Sequence, residues 1–209
     1  LSLRRQRQMC IRDSIYSTAA FMAHFIDRVL KTTGAQKVDL IGHSQGGGPL
    51  PRAYIKYYGG AKKVHHLVGL VPSNKGTSML GLEKFLNASG NPLNTIFNAV
   101  AQFHNLGSLP QQLQDSTFLR ELNADGMTVP GITYTVIATR FDNRVFPWTN
   151  TFINEPGVKN IVIQDVCPLD HSAHTNIPYD PMTFQIVINA LDPERAAPVI
   201  CTIRPFRPR

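Results

Sequence analysis

The sequence predicts an α/β fold in which a mostly parallel sheet is covered by helices on both faces. Four short runs, at 37–41, 67–71, 134–139 and 160–164, are apolar or β-branched almost throughout, as strands buried on both faces of a parallel sheet are. Helical patterns separate these runs, and this alternation is typical of an open α/β sheet. The motif Gly-His-Ser-Gln-Gly at 42–46 follows the first run and indicates a strand, a sharp turn and a helix start.

The first helix is predicted over residues 15–33, with Ser14 as its cap and Gly34 as its stop. Its apolar side chains alternate at spacings of four and three, which places them on one helical face. These residues are Ile15, Ala19, Met22, Ile26 and Val29.

Further helical patterns lie at 49–58, 80–87, 93–103 and 116–122. The last helix is predicted to begin at Asp180-Pro181, because proline is favoured in a first turn, and to end before Pro193. The apolar face predicted for it consists of Phe184, Val187, Ile188 and Leu191.

The segment 73–130 is too long for a simple crossover and predicts a cap-like insertion over the serine turn. Its apolar side chains can line a groove for an acyl chain, and packing onto the sheet explains them equally well. They are Leu80, Leu82, Phe85, Leu86, Leu93, Ile96, Phe97, Val100 and Phe103.

Length and charge limit the functional classes. The 209 residues are enough for one sizeable core, and no run approaches the roughly 18 to 20 consecutive apolar residues of a membrane span. Of the formal net charge of +7, residues 1–14 carry +3 and residues 204–209 another +3, which leaves +1 for the body. Because this charge lies at the ends and not on a patterned face, nucleic acid is not a predicted partner.

The motif around Ser44 predicts a serine hydrolase. A strained turn lifts the serine Oγ clear of the sheet, and it is expected to leave no room for a Cβ atom at Gly42 or Gly46, two residues to either side. The alternative is a glycine-rich turn with an incidental serine.

A nucleophilic serine needs a base and a carboxylate that orients the base, and in this type of fold the chain order is serine, acid, histidine. Asp142, just beyond the third strand, is the predicted acid, with a turn-forming aspartate as the alternative. Asp165 and Asp170 compete with it, yet both share the loop of the histidine. Position alone leaves His171 and His174 open as the base.

No metal or organic cofactor is predicted. No histidine pair has the i, i+4 spacing with a glutamate that zinc hydrolases use, and no Walker-type phosphate loop is present. Cys167 and Cys201, both in proline-flanked segments, are the predicted disulfide, with two buried thiols as the alternative. A disulfide would imply an oxidising compartment.

Eight stretches of the sequence are distinctive as a set: KVDLIGHSQGG at 37–47, PRAYIK at 51–56, GGA at 59–61, VPSNKGT at 71–77, TFLRELN at 117–123, YTVIATRFD at 134–142, QDVCP at 164–168 and NALDP at 189–193. Through them the chain from about Ile15 to Cys201 resembles the secreted bacterial and fungal triacylglycerol lipases and esterases of the α/β-hydrolase fold, or class 2 lipases.

This resemblance implies a partial α/β-hydrolase fold with Ser44 as nucleophile, Asp142 as acid and His174 as base. It places Cys167 at the position of a bridging cysteine, and it leaves the backbone N–H of Gln45 as one donor of the oxyanion hole.

The implied function is hydrolysis of carboxylic esters, as a triacylglycerol lipase acting on ester or acylglycerol substrates. The implied protein is a secreted monomer that contacts a lipid interface transiently. Two alternatives stay open. One is a thioesterase or acyltransferase on the same fold, and the other is a catalytically silent fragment that binds apolar ligands.

The ends of the chain depart from the family. Family members carry more chain before the first helix, so the first strands, a signal peptide and the second oxyanion-hole donor are expected upstream. Residues 1–14 match nothing in the family and look like a translated sequencing adapter, with a disordered basic arm as the alternative. The predicted organisation is thus a non-native or disordered 1–14, a hydrolase domain at 15–203 and a basic tail at 204–209.

The residues after Asp142 also depart from the family. An acidic residue commonly follows this aspartate, whereas Asn143 and Arg144 follow it here. The change alters the charge near the acid and leaves the aspartate in place.

Overall fold

A computed structural model of the protein describes residues 13–78, 95 and 107–201. Within these ranges four strands form one sheet in the order β1-β2-β3-β4, and each neighbouring pair is parallel. The strands are β1 (Val38–His43), β2 (Val64–Leu70), β3 (Thr133–Ala138) and β4 (Lys159–Val162). The predicted fold class, a parallel sheet flanked by helices, is confirmed.

Five α-helices whose bounds lie in the described ranges accompany the sheet: α1 (Ile15–Thr33), α2 (Pro49–Tyr57), α3 (Thr117–Asn123), the single turn α4 (Ile163–Val166) and α5 (Pro181–Leu191). The predicted boundaries of α1 are confirmed, because Ser14 Oγ accepts a hydrogen bond from the N–H of Ser17 and Gly34 turns left-handed at φ +73°. None of these helices has the length and apolar character needed to cross a membrane.

Two apolar clusters lie on opposite faces of the sheet. Leu67 of β2 packs in a cluster with α1, α2 and α3, whereas its neighbour Val68 packs in a cluster with α4 and α5. Because successive strand residues point to opposite faces, β2 is covered on both sides. The predicted helices at 80–87 and 93–103, and the apolar residues from Leu80 to Phe103, lie outside the described residues except for position 95.

The prediction that every strand is buried on both faces is wrong for both outer strands, β1 and β4. Asn160 of β4 is exposed. Asp39 is exposed and Ile41 is 51% exposed, while β2 buries six of its seven residues. β1 has one strand neighbour within the described ranges and stands at the edge of that sheet, so its outer side is less covered.

Two predictions for the C-terminal elements are also wrong in detail. β4 ends at Val162, and Ile163 begins a helical turn, because a short apolar run suits a strand or a helix equally well. Of the face predicted for α5 only Val187 is buried, since Phe184 is 66% and Ile188 42% exposed. This helix is apolar on several sides, and it buries Met182, Thr183, Ile186 and Val187.

The turn after β1 lies directly on the sheet backbone. A Cβ atom at Gly42 would be 1.8 Å from the carbonyl oxygen of Gly46, and one at Gly47 would be 2.2 Å from that of Gly42. The Cα of Gly69 in β2 is 3.1 Å from the latter position. The prediction that Gly46 lacks room for a side chain is wrong, because its carbonyl and not its Cα faces Gly42. Gly47 has that role.

Arg52 of α2 joins the segment that follows β2 to the end of α3 and the residues after it. Its side chain is buried, and its guanidinium donates to the carbonyl oxygen of Met127 (3.0 Å) and to Asn123 Oδ1 (2.5 Å). It also reaches the carbonyl oxygen of Asn74 (3.4 Å), whose side-chain amide donates to the carbonyl oxygen of Thr151. Burial lowers the pKa of Arg52 to about 10, so it remains charged at neutral pH.

Replacing Gly47 should disturb the packing of the turn after β1 on the sheet, whereas replacing Gly46 should not. We expect Gly47→Ala to lower the free energy of unfolding by about 1–3 kcal/mol, because the added methyl group meets fixed backbone atoms. Gly46→Ala meets nothing within 4 Å and should stay within about 0.5 kcal/mol. Urea denaturation of both variants measures the difference, and equal losses would contradict the assigned contact.

Replacing Arg52 should destabilise the fold strongly. Arg52→Met leaves buried carbonyl and amide oxygens without their charged donor, and each such bond contributes about 1.5–3 kcal/mol. We expect a loss of about 3 kcal/mol or more in urea denaturation. Arg120→Met, at an exposed position of α3, is the matched control and should change stability by less than about 0.5 kcal/mol.

Candidate active site

Ser44 lies at the carboxyl end of β1, where a short 3₁₀-helix (Ser44–Gly47) leads into α2. Its φ of +57° is rare for a residue with a side chain and marks a strained backbone. Val71, directly after β2, has a φ of +43°, so a second strained residue stands at the neighbouring strand end. Such strain is common where a fold presents functional groups.

Gln45, the next residue, is buried and held by a chain of side chains. Its Oε1 accepts a hydrogen bond from Gln112 Nε2 (2.6 Å), and Gln112 Oε1 accepts one from Ser73 Oγ (3.1 Å). This chain ties the turn at Ser44 to the segment after β2 and to residue 112. The position of the Gln45 backbone is therefore supported from two other parts of the fold.

Asp142 stands in the loop after β3, with its side chain fully buried. Its Oδ1 accepts hydrogen bonds from the backbone N–H groups of Arg144 and Val145, both at 2.8 Å. These bonds fix the orientation of the carboxylate. The predicted acid therefore has the surroundings of an oriented anion.

His174, in the loop between α4 and α5, contacts this carboxylate. Its Nδ1 lies 2.9 Å from Oδ2 and 3.0 Å from Oδ1 of Asp142, and the imidazole is 5% exposed. Because an ionised carboxylate only accepts hydrogen bonds, Nδ1 carries the proton. In the neutral ring Nε2 is then the atom that can accept a proton.

His43 connects this pair to the serine turn. Its Nε2–H donates to the backbone carbonyl of His174 (2.9 Å), and the centres of the two rings are 4.7 Å apart. Burial, and secondly the neighbouring imidazole of His174, lower the pKa of His43, which keeps it neutral at neutral pH. The Asp142–His174 pair thus stands beside the residue that precedes Ser44.

The competing candidates have other partners. The Asp165 carboxylate pairs with Arg140 (2.5 Å), and Asp170 Oδ1 accepts from the N–H of Ser172 (2.7 Å). The ring of His171 lies against Phe141, with ring centres 4.8 Å apart. In the described part of the chain, the carboxylate hydrogen-bonded to His174 is that of Asp142.

Sequence reasoning missed the residues that join the loop of Asp142, after β3, to the loop of His174, between α4 and α5. Gln164 Nε2 donates to Thr139 Oγ1 and to the carbonyl oxygen of Asp170, both at 3.0 Å, and its Oε1 accepts from the N–H of Arg140. Thr139 Oγ1 in turn donates to the carbonyl oxygen of Ser172 (2.7 Å). The signal available in the sequence was the polar residues Thr139 and Gln164, which end two of the apolar runs predicted as strands.

A cavity of about 490 Å³ opens between the loop of Asp142 and the loop of His174. It is lined by His43, Asn143, Arg144, Thr175, Pro178 and Tyr179. This volume is in the range of small-molecule sites. Because His43 contributes to its wall, the cavity lies next to the candidate nucleophile.

Cys167 and Cys201 form the predicted disulfide, with their Cα atoms 5.1 Å apart. The bridge connects Cys167, at the start of the loop that carries His174, to the C-terminal segment. Cys10 lies outside the described residues. Within those same ranges no group of three or more His, Cys, Asp or Glu side chains is placed to hold a metal ion.

Several solved structures are similar to this one. Lipase B of Aspergillus fumigatus matches with a TM-score of 0.67 and 20% identity, over 90% of this chain and 44% of that one. The mature lipase BlEst2 of Bacillus licheniformis matches with a TM-score of 0.60 and 15% identity, over 86% and 75%. An α/β hydrolase from a lagoon-sediment metagenome has a TM-score of 0.51 and 16% identity, over 85% and 70%.

These likenesses establish an α/β-hydrolase fold, and the chain spans less than half the length of the fungal lipase. The family assignment comes from the sequence, because the family described as lipase (class 2) matches residues 20–187. That match covers well over half of the 209 residues and includes Ser44, Asp142 and His174. The chain therefore belongs to the class 2 lipase family.

Proposed function

We propose that the protein is a carboxylic-ester hydrolase that acts on triacylglycerols and related acylglycerols through a covalent acyl-enzyme. The observation that carries the proposal is the buried Asp142–His174 pair beside the strained turn that presents Ser44. Membership of the class 2 lipase family supports an ester as substrate.

In the first half of the reaction, His174 Nε2 takes the proton of the Ser44 hydroxyl as Oγ attacks the ester carbonyl carbon. The carbonyl oxygen becomes an oxyanion, which the N–H of Gln45 is placed to stabilise. The tetrahedral intermediate then collapses, the bond to the alcohol oxygen breaks, and the alcohol leaves with the proton from His174. Asp142 holds the Nδ1–H tautomer throughout and stabilises the imidazolium.

In the second half, the same groups hydrolyse the acyl-enzyme. His174 Nε2 removes a proton from water, and the oxygen of that water attacks the acyl carbon. The bond to Ser44 Oγ breaks, the serine recovers its proton from His174, and the carboxylic acid leaves. One base therefore serves both halves, which requires the fixed orientation that the Asp142 contact supplies.

The family resemblance implies two backbone donors for the oxyanion hole, and the N–H of Gln45 is one of them. We also propose that the protein is secreted, and the disulfide between Cys167 and Cys201 supports this, because such bonds persist in oxidising compartments.

A fluorophosphonate probe tests the nucleophile directly, because it reacts covalently with activated serines. We expect serine-dependent labelling of the protein and its complete loss in Ser44→Ala, measured by intact mass. Ser17→Ala, at an exposed position on α1, should label normally. Labelling that survives in folded Ser44→Ala, or no labelling of the folded parent chain, would refute the proposed role.

The base is tested with a pair of histidine variants. His174→Gln should lower kcat for a short-chain ester by about a thousandfold or more, because loss of one triad member removes most of the catalysis. His171→Gln alters a ring that packs on Phe141 and should change kcat only a few-fold. Initial rates of ester hydrolysis measure both, and equal losses would contradict the choice of His174.

A further inference from the structure

Arg144 is held in a fixed position at the cavity next to the proposed nucleophile. Its backbone N–H donates to Asp142 Oδ1 (2.8 Å), and its carbonyl oxygen accepts from Thr77 Oγ1 (2.8 Å). The N–H of Phe146 donates to the same Thr77 Oγ1 (3.1 Å), which closes the loop against residue 77. The guanidinium therefore extends from an anchored backbone.

Among the described residues that line the cavity, Arg144 is the charged one. Arg144 lines the cavity, and no hydrogen bond or ion pair joins its guanidinium to another residue in the described ranges. The imidazole of His43 is neutral at neutral pH, because burial lowers its pKa. The other lining residues in the described part of the chain are uncharged: Asn143, Thr175, Pro178 and Tyr179.

We propose that this cavity binds a negatively charged group of the ester substrate, a carboxylate or a phosphate, through the guanidinium of Arg144. Arginine matches both groups with paired N–H donors, and Asn143 and Thr175 add hydrogen-bonding side chains to the same cavity. The inference rests on the proposed ester hydrolysis and adds to it a preference for esters that carry such a group. His43 ties this site to the reaction centre, because it lines the cavity and contacts His174.

Matched ester pairs test the inference. Monoethyl glutarate against ethyl pentanoate places the charge on the acyl side, and phosphoethyl butanoate against hydroxyethyl butanoate places it on the alcohol side. The measured quantity is the ratio of kcat/KM for the anionic ester to that for the neutral one. We expect a preference for the anionic ester in at least one pair, and the responding pair identifies the source of the charge.

Arg144→Gln should lower this ratio about tenfold or more, since a charge-assisted hydrogen bond is lost. Arg144→Lys should retain part of the preference, because it keeps the charge without the planar fork. Arg140→Gln is the control, since its guanidinium pairs with Asp165 and does not line the cavity. A ratio that Arg144→Gln leaves unchanged in both pairs would overturn the inference.

A binding measurement separates this inference from the proposed function. Calorimetric titration of Ser44→Ala with the two anionic esters needs no turnover, and at least one should bind about tenfold more weakly to the Ser44→Ala/Arg144→Gln double variant. If neutral esters are hydrolysed but Arg144 affects neither ratio nor binding, only the inference fails. If no ester is hydrolysed, the proposed function fails. The inference fails as well if Ser44→Ala and the double variant bind both anionic esters with equal affinity.

Discussion

The site depends on one backbone contact, the packing of the turn after β1 on β2. The absence of side chains at Gly42, Gly47 and Gly69 lets the turn lie against the strand. This contact holds Ser44 in a left-handed conformation, whose strain of order 1–3 kcal/mol must be offset by the surrounding packing. A wider turn would move α2 away from the sheet. It would also move Ser44 away from the sheet edge where Asp142 and His174 meet.

The two loops that carry Asp142 and His174 are aligned by the sheet. Ala138 of β3 pairs with Val162 of β4, so the residues that follow them leave the sheet side by side. Thr139 and Gln164 then fill the gap between the loops with buried hydrogen bonds. The distance between Asp142 and His174 is therefore a consequence of strand register and not only of loop conformation.

Local signals made some elements predictable from the sequence and left others ambiguous. The ends of α1 follow from Ser14 and Gly34, which act through adjacent backbone atoms. The buried face of α5 could not be predicted, because its apolar residues fit two faces and the opposing cluster selects one. Chain order favours Asp142 as the candidate acid. It does not show that His174 contacts this carboxylate while His171 packs on Phe141, because no local pattern encodes the direction in which an imidazole points.

The disulfide acts on the segment that carries His174 and α5, since Cys167 and Cys201 are separated by 34 residues. Closing a loop of this length reduces the conformational entropy of the unfolded chain, which corresponds to a stabilisation of about 3–4 kcal/mol in the chain-entropy description. The histidine loop gains this stabilisation where thiols are oxidised and lacks it where they are kept reduced. The redox state of its surroundings therefore determines how firmly the protein holds its histidine opposite Asp142.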